Sequence, residues 1–173
     1  MSMYIVMGAP GMGKSPFAQK MIEGRRCLVF DVNNEYGTRT KYPGQRAICL
    51  SSDVRQPRAR FVGDDITVFT KLAMERKESV VILEEATAFF RGRQQKLTSR
   101  MIIGRIHTGN TYVFLFHSIN RVPPELMEIA DIAVLFKTND EEDTVKRKYR
   151  RLYDPYLYLR DKQSGDKLII KMI

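Results

Sequence analysis

The chain has 173 residues, 43% hydrophobic and 28% charged, which is enough for one domain with a buried core and excludes a disordered or fibrous protein. Lys and Arg number 29 against 20 Asp and Glu, a net charge of +9 that attracts polyanions and favours a nucleic-acid partner over an acidic metabolite. Two cysteines exclude a disulfide framework, two histidines argue against a zinc site, and no apolar stretch nears the roughly 20 residues of a membrane span.

Met3–Met7 is a short apolar run ending at Gly8 and reads as a buried strand. It leaves no room for a signal peptide, so a soluble, cytoplasmic protein is expected. A glycine-rich turn follows, then a helix carrying Phe17, Ala18, Met21 and Ile22 at helical spacing and stopped by Gly24. Cys27–Val32 is a second buried strand and Asn33–Gly37 a turn. Arg46–Leu50 reads as a short strand within an irregular stretch, and the free thiols of Cys27 and Cys49 are both expected to be buried.

Ile66–Lys77 has one apolar face and predicts a helix; Ser79–Leu83 is the third strong strand. Leu97–Ile106 predicts another helix, and Thr111–Phe116 and Ile132–Phe136 two more buried strands. Tyr156–Arg160 and Lys167–Ile173 flank Ser164-Gly165-Asp166, a hairpin signal. Apolar strands separated by helical crossovers predict an α/β fold, a parallel sheet covered by helices. One domain is expected over 1–173, with its core at about 1–138 and the basic segment and hairpin at 139–173.

Gly8, Ala9, Pro10, Gly11, Met12, Gly13, Lys14 and Ser15 read GAPGMGKS, the P-loop pattern between strand and helix. The glycines let successive amides face one anion, and the helix N-terminus adds its dipole. Lys14 reaches β- and γ-phosphates and Ser15 ligates magnesium. Pro16 removes one amide where P-loops offer a donor to the α-phosphate, at about 1–2 kcal/mol of affinity. Val80–Glu85 reads VVILEE, an apolar strand ending in two carboxylates at the sheet edge where ligands bind. Glu84 is assigned to the metal and Glu85 to the base that polarises water.

GAPGMGKS, FDVNNEYG, ILEEATAFF and TYVFLFHSINRVPPEL, in that order, resemble the HerA/FtsK class of P-loop ATPases, the ring-forming DNA pumps that include viral genome-packaging ATPases. The resemblance spans about Tyr4 to Thr138 and implies a RecA/ASCE-like P-loop NTPase sheet, ATP and Mg2+ as cofactors, and a DNA translocase. It further implies a hexameric or pentameric ring on double-stranded DNA, a portal or capsid protein as partner, no membrane, and the cytoplasm of a host cell. Where the class has Asp before the catalytic Glu this chain has Glu84, and where it ends its sensor strand in Gln this chain offers Ser118 or His117. Arg105, or Arg100 one turn earlier, is the candidate for an arginine reaching a neighbouring subunit's phosphate.

Arg91, Arg93 and Lys96 follow the acid pair in a stretch without acidic residues and are the candidates for sequence-independent contact with a nucleic-acid backbone. Lys146–Arg151, after Asp140–Asp143, is open to DNA contact or to pairing between subunits. Two other readings compete: a small-molecule kinase with Arg91–Gln95 as its lid, and a phage assembly or secretion ATPase resembling the Zot-like proteins. A nearly inactive nucleotide-dependent switch is the reading that gives Pro16 most weight.

Overall fold

The computed structural model of the protein describes residues 1–37, 49–90 and 94–172. Among the described residues seven strands form one sheet: β1 (Met3–Met7), β2 (Cys27–Phe30), β3 (Arg58–Phe61), β4 (Val80–Leu83), β5 (Thr111–Phe116), β6 (Ile132–Phe136) and β7 (Lys167–Lys171). Their order is β3-β2-β4-β5-β1-β6-β7. All neighbours are parallel except β7, which runs antiparallel to β6. Every residue of β2, β4 and β5 is buried, as strands covered on both faces must be.

The helices are α1 (Lys14–Met21), α2 (Ile66–Glu75), α3 (Ala86–Phe89), α4 (Gln94–Ile103), α5 (Arg105–Thr108), α6 (Pro124–Glu128), α7 (Glu142–Lys148) and α8 (Tyr153–Arg160). The cover is uneven. One core joins Ile5, Phe30 and Phe114 of the sheet to Phe69 of α2, Met101 of α4 and Leu159 of α8. The other joins Val6, Val29, Ile82 and Val134 to Ala18 of α1 and to Tyr36 and Leu50.

The sheet is the parallel, helix-flanked one that the apolar runs imply, and its C-terminal antiparallel strand is present. That strand pairs with β6, however, and Tyr156–Arg160, expected as its hairpin partner, is helix. The run alternates apolar and polar side chains like a strand, yet Tyr156 and Leu159 are the buried pair, three residues apart on one helix face. β3 was not apparent, because its RARF sequence is half arginine. Both guanidiniums are spent inside the fold: Arg58 donates to the Ile22 carbonyl and Arg60 to the Asp31 carboxylate.

The helix expected over Leu97–Ile106 is two, α4 and α5, divided at Gly104. Cys27 is buried but Cys49 is exposed, contrary to expectation. Most of the strand expected at Arg46–Leu50, and Arg91 and Arg93, lie outside the described residues.

Asn110 fastens α2 to the sheet. It is fully buried; its side-chain carbonyl accepts from the Ser79 amide, and its NH2 donates to the carbonyls of Ala73 and Arg76. Asn110→Ala strands all three groups without water, so urea unfolding should show a loss of about 2–4 kcal/mol.

Candidate functional site

β1 lies between β5 and β6, and the chain leaves it to build strands on either side, the topological switch where open α/β sheets bind ligands. The loop after β1 is pinned there. Gly8 N–H donates to Phe116 O at 3.1 Å and Ala9 N–H to Lys137 O at 2.8 Å, the ends of β5 and β6. A Cβ on Gly8 would stand 2.7 Å from that of Phe136, so only glycine fits. Gly13 has φ +104°, a conformation that side chains oppose. The amides of Gly11, Gly13, Lys14 and Ser15 meet no backbone acceptor among the described residues. Four free donors at a helix N-terminus make an anion nest.

Lys14 is only 7% exposed, and its ammonium donates to the carbonyls of Gly8 (2.7 Å) and Ala9 (3.1 Å). Burial pulls it below the usual lysine value, opposed by the negative charges of Glu84, Glu85 and Glu35. Its nitrogen also lies 3.4 Å from His117 Nδ1, and His117 Nε2 lies 2.5 Å from Glu85 Oε2. One imidazole therefore links the loop lysine to the second carboxylate of the acid pair.

The two glutamates diverge as strand geometry requires. Glu85 turns with φ +54°, strained for a non-glycine residue, and its other oxygen is 3.5 Å from Asn33 Nδ2. Glu84 points into the fold and accepts from the Tyr36 hydroxyl at 2.5 Å. Tyr36 is fully buried. Burial and the adjoining Glu84 push its phenol well above its usual value. The turn carrying it is built on Asp31, whose carboxylate accepts the amides of Glu35 (2.7 Å) and Tyr36 (3.1 Å) and pairs with Arg60 at 3.0 Å.

The structure thus brings Lys14, Glu84, Glu85 and His117 to the phosphate loop. Ser118 begins the next turn, Ile119–Arg121, and its hydroxyl bonds none of the described residues. Arg105 is not at this edge: it reaches Asp131 Oδ2 and Ile129 O, each at 3.5 Å, and Asp131 also holds the Met3 amide at the far end of β1. Arg100 is exposed on α4, and Lys96 falls on the same helix. Asp31, Asn33 and Tyr36 carried no assigned role in the sequence, although Asp at a strand end before Asn-Asn is the signature of a side-chain-closed turn.

Burial pushes Glu84 up to about 7 from an ordinary 4.5, with the Tyr36 hydrogen bond opposing. The folded state therefore holds this proton more tightly than the unfolded chain. The stabilisation is whole below about pH 4.5 and is lost as the pH rises through about 7. Between pH 4.5 and 8, urea unfolding should show the wild type losing on the order of 3 kcal/mol more stability than Glu84→Gln.

The genome packaging NTPase B204 from Sulfolobus turreted icosahedral virus 2, in complex with ATP-γS, superposes with a TM-score of 0.77 at 17% identity, covering 99% of this chain and 92% of that one. The DNA-packaging ATPase B204 from Sulfolobus turreted icosahedral virus gives 0.73 at 16% identity over 99% and 92% of the two chains. At these identities the likeness establishes the P-loop NTPase fold. The N-terminal domain of zonular occludens toxin from Neisseria meningitidis reaches 0.49 at 16% identity over 80% and 78% of the two chains, too slight to argue from. No curated protein matches the sequence. The family model for the central domain of the helicase HerA matches residues 4–172, and the chain belongs to that family.

Proposed function

We propose that the chain is an ATP-hydrolysing DNA translocase, the motor subunit of a viral genome-packaging machine that works as a ring. The observation that carries this reading is the linkage of Lys14, His117 and Glu85 beneath four free loop amides. The match to the HerA central domain and the likeness to packaging ATPases favour it over a small-molecule kinase.

A triphosphate entering the loop offers its oxygens to the amides of Gly11, Gly13, Lys14 and Ser15. It draws the Lys14 ammonium from the carbonyls of Gly8 and Ala9 onto the β- and γ-phosphates. Glu85 takes the proton of the attacking water, and His117, touching both Lys14 and Glu85, makes the base responsive to whether the lysine is engaged. Glu84, Glu85 and Glu35 bear on one buried ammonium, and Glu35 Oε2 is buried without a partner among the described residues. That excess of acidic oxygen fits a hard divalent cation such as Mg2+, held by the Ser15 hydroxyl and Glu84. Bound there, the ion would neutralise charge on the phosphate oxygens.

Arg91, Arg93 and Lys96 serve as backbone contacts to double-stranded DNA. Arg105 is tied within its own chain at the opposite sheet edge, so exposed Arg100 is the better placed to serve a neighbouring copy. A portal or capsid protein completes the partners of such a motor.

Phosphate release should rise several-fold with double-stranded DNA, and solution mass should show a pentamer or hexamer. A monomer that phosphorylates a small acceptor would replace this reading with the kinase. Glu85→Gln should lower turnover by about 10²-fold or more while leaving ATP affinity within about threefold; normal turnover in this variant would remove Glu85 as the base.

A further inference from the structure

The turn between α8 and β7 lies against the phosphate loop. Ser164 Oγ donates to Gly11 O at 2.7 Å, and Gly165 N–H donates to Met12 O at 3.1 Å. Met12 precedes the helix, whose N-cap is Gly13, so its carbonyl takes part in no helical bond and is free to accept from the C-terminal turn. Gly165 comes so close that a Cβ on Gly13 would stand 3.4 Å from its Cα.

A cavity of about 570 Å³ opens between this turn and α1, continuous with the phosphate loop. Phe17 and Phe136 give it apolar walls, and Lys20 and Lys167 bring ammonium groups. Lys167 stands with its nitrogen 5.8 Å from the centre of the Phe17 ring and 5.9 Å from that of Phe136, and Pro16 lines the same cavity. The Ser164 hydroxyl donates to Gly11 and keeps its lone pairs, and among the described residues no Asn, Gln, Asp or Glu side chain lines the space.

We propose that this cavity is a nucleoside subsite walled by the C-terminal turn, in which Lys167 supplies at the α-phosphate the donor that Pro16 removes and the base is left unread. The proposal rests on the triphosphate reading above and adds the group that recognises the nucleoside end. An ammonium restores a charged hydrogen bond where a neutral amide is missing. The walls offer a base apolar area, ammonium donors and the hydroxyl oxygens of Ser15 and Ser164, which can accept, so the exocyclic amino group of adenine and the carbonyl of guanine both find a partner and neither base is selected.

The test measures equilibrium binding of ATP, GTP and inorganic pyrophosphate to the full chain and to its Lys167→Met and Lys167→Arg variants. Lys167 is exposed, so neither substitution removes core packing. The wild type should bind ATP and GTP within about threefold of each other, and both more tightly than pyrophosphate, which fills the loop without reaching the cavity. Lys167→Met should weaken both nucleotides about tenfold, the scale of one charged hydrogen bond, and leave pyrophosphate within twofold; Lys167→Arg should retain nucleotide affinity. Unchanged ATP affinity in Lys167→Met, or more than tenfold discrimination between ATP and GTP, would overturn the subsite while leaving the triphosphate reading intact. A wild type that bound none of the three would overturn both.

Discussion

The structure turns on one buried ammonium. Lys14 sits where water scarcely reaches, and a lone cation there would be costly. Two loop carbonyls hold it, and the negative charges of Glu84, Glu85 and Glu35 favour its charged form. Glu84 is as buried as the lysine, and among the described residues Glu35 leaves one oxygen unpaired. The sheet order follows from the same requirement: β1 must run between β5 and β6 for their last carbonyls to pin the loop that presents Lys14.

The acids are positioned by a turn remote in sequence. Asp31 closes the chain after β2 on itself, which delivers Tyr36 to Glu84 across 48 residues. Arg60 on the edge strand braces Asp31 from the other side. The outermost strand thereby reaches the chemistry through two contacts, and its two arginines, Arg58 and Arg60, serve as scaffold.

What was legible in the sequence is what is local. The GAPGMGKS loop, the apolar strands and the adjacent glutamates carry their meaning within a few residues, and the fold bears out the parallel sheet they imply. Arg58 and Arg60 hid β3 because their partners lie on other elements. Tyr156–Arg160 alternates like a strand, and only the core it meets selects the helix. The docking of Ser164 and Gly165 on the loop joins residues more than 150 positions apart, and no local pattern announces it.

The two margins of the sheet differ from its interior. β7 turns Lys167, Ile169 and Lys171 outward in alternation, and beyond β3, among the described residues, a bridge from Ser51 to Ala59 occupies the rim. An antiparallel border studded with ammonium groups and a border already capped by its own chain are poor templates for a further strand. At high concentration, copies of this protein are therefore steered to meet through helices and loops, and stacking into fibrils by lengthening the sheet is disfavoured from both sides.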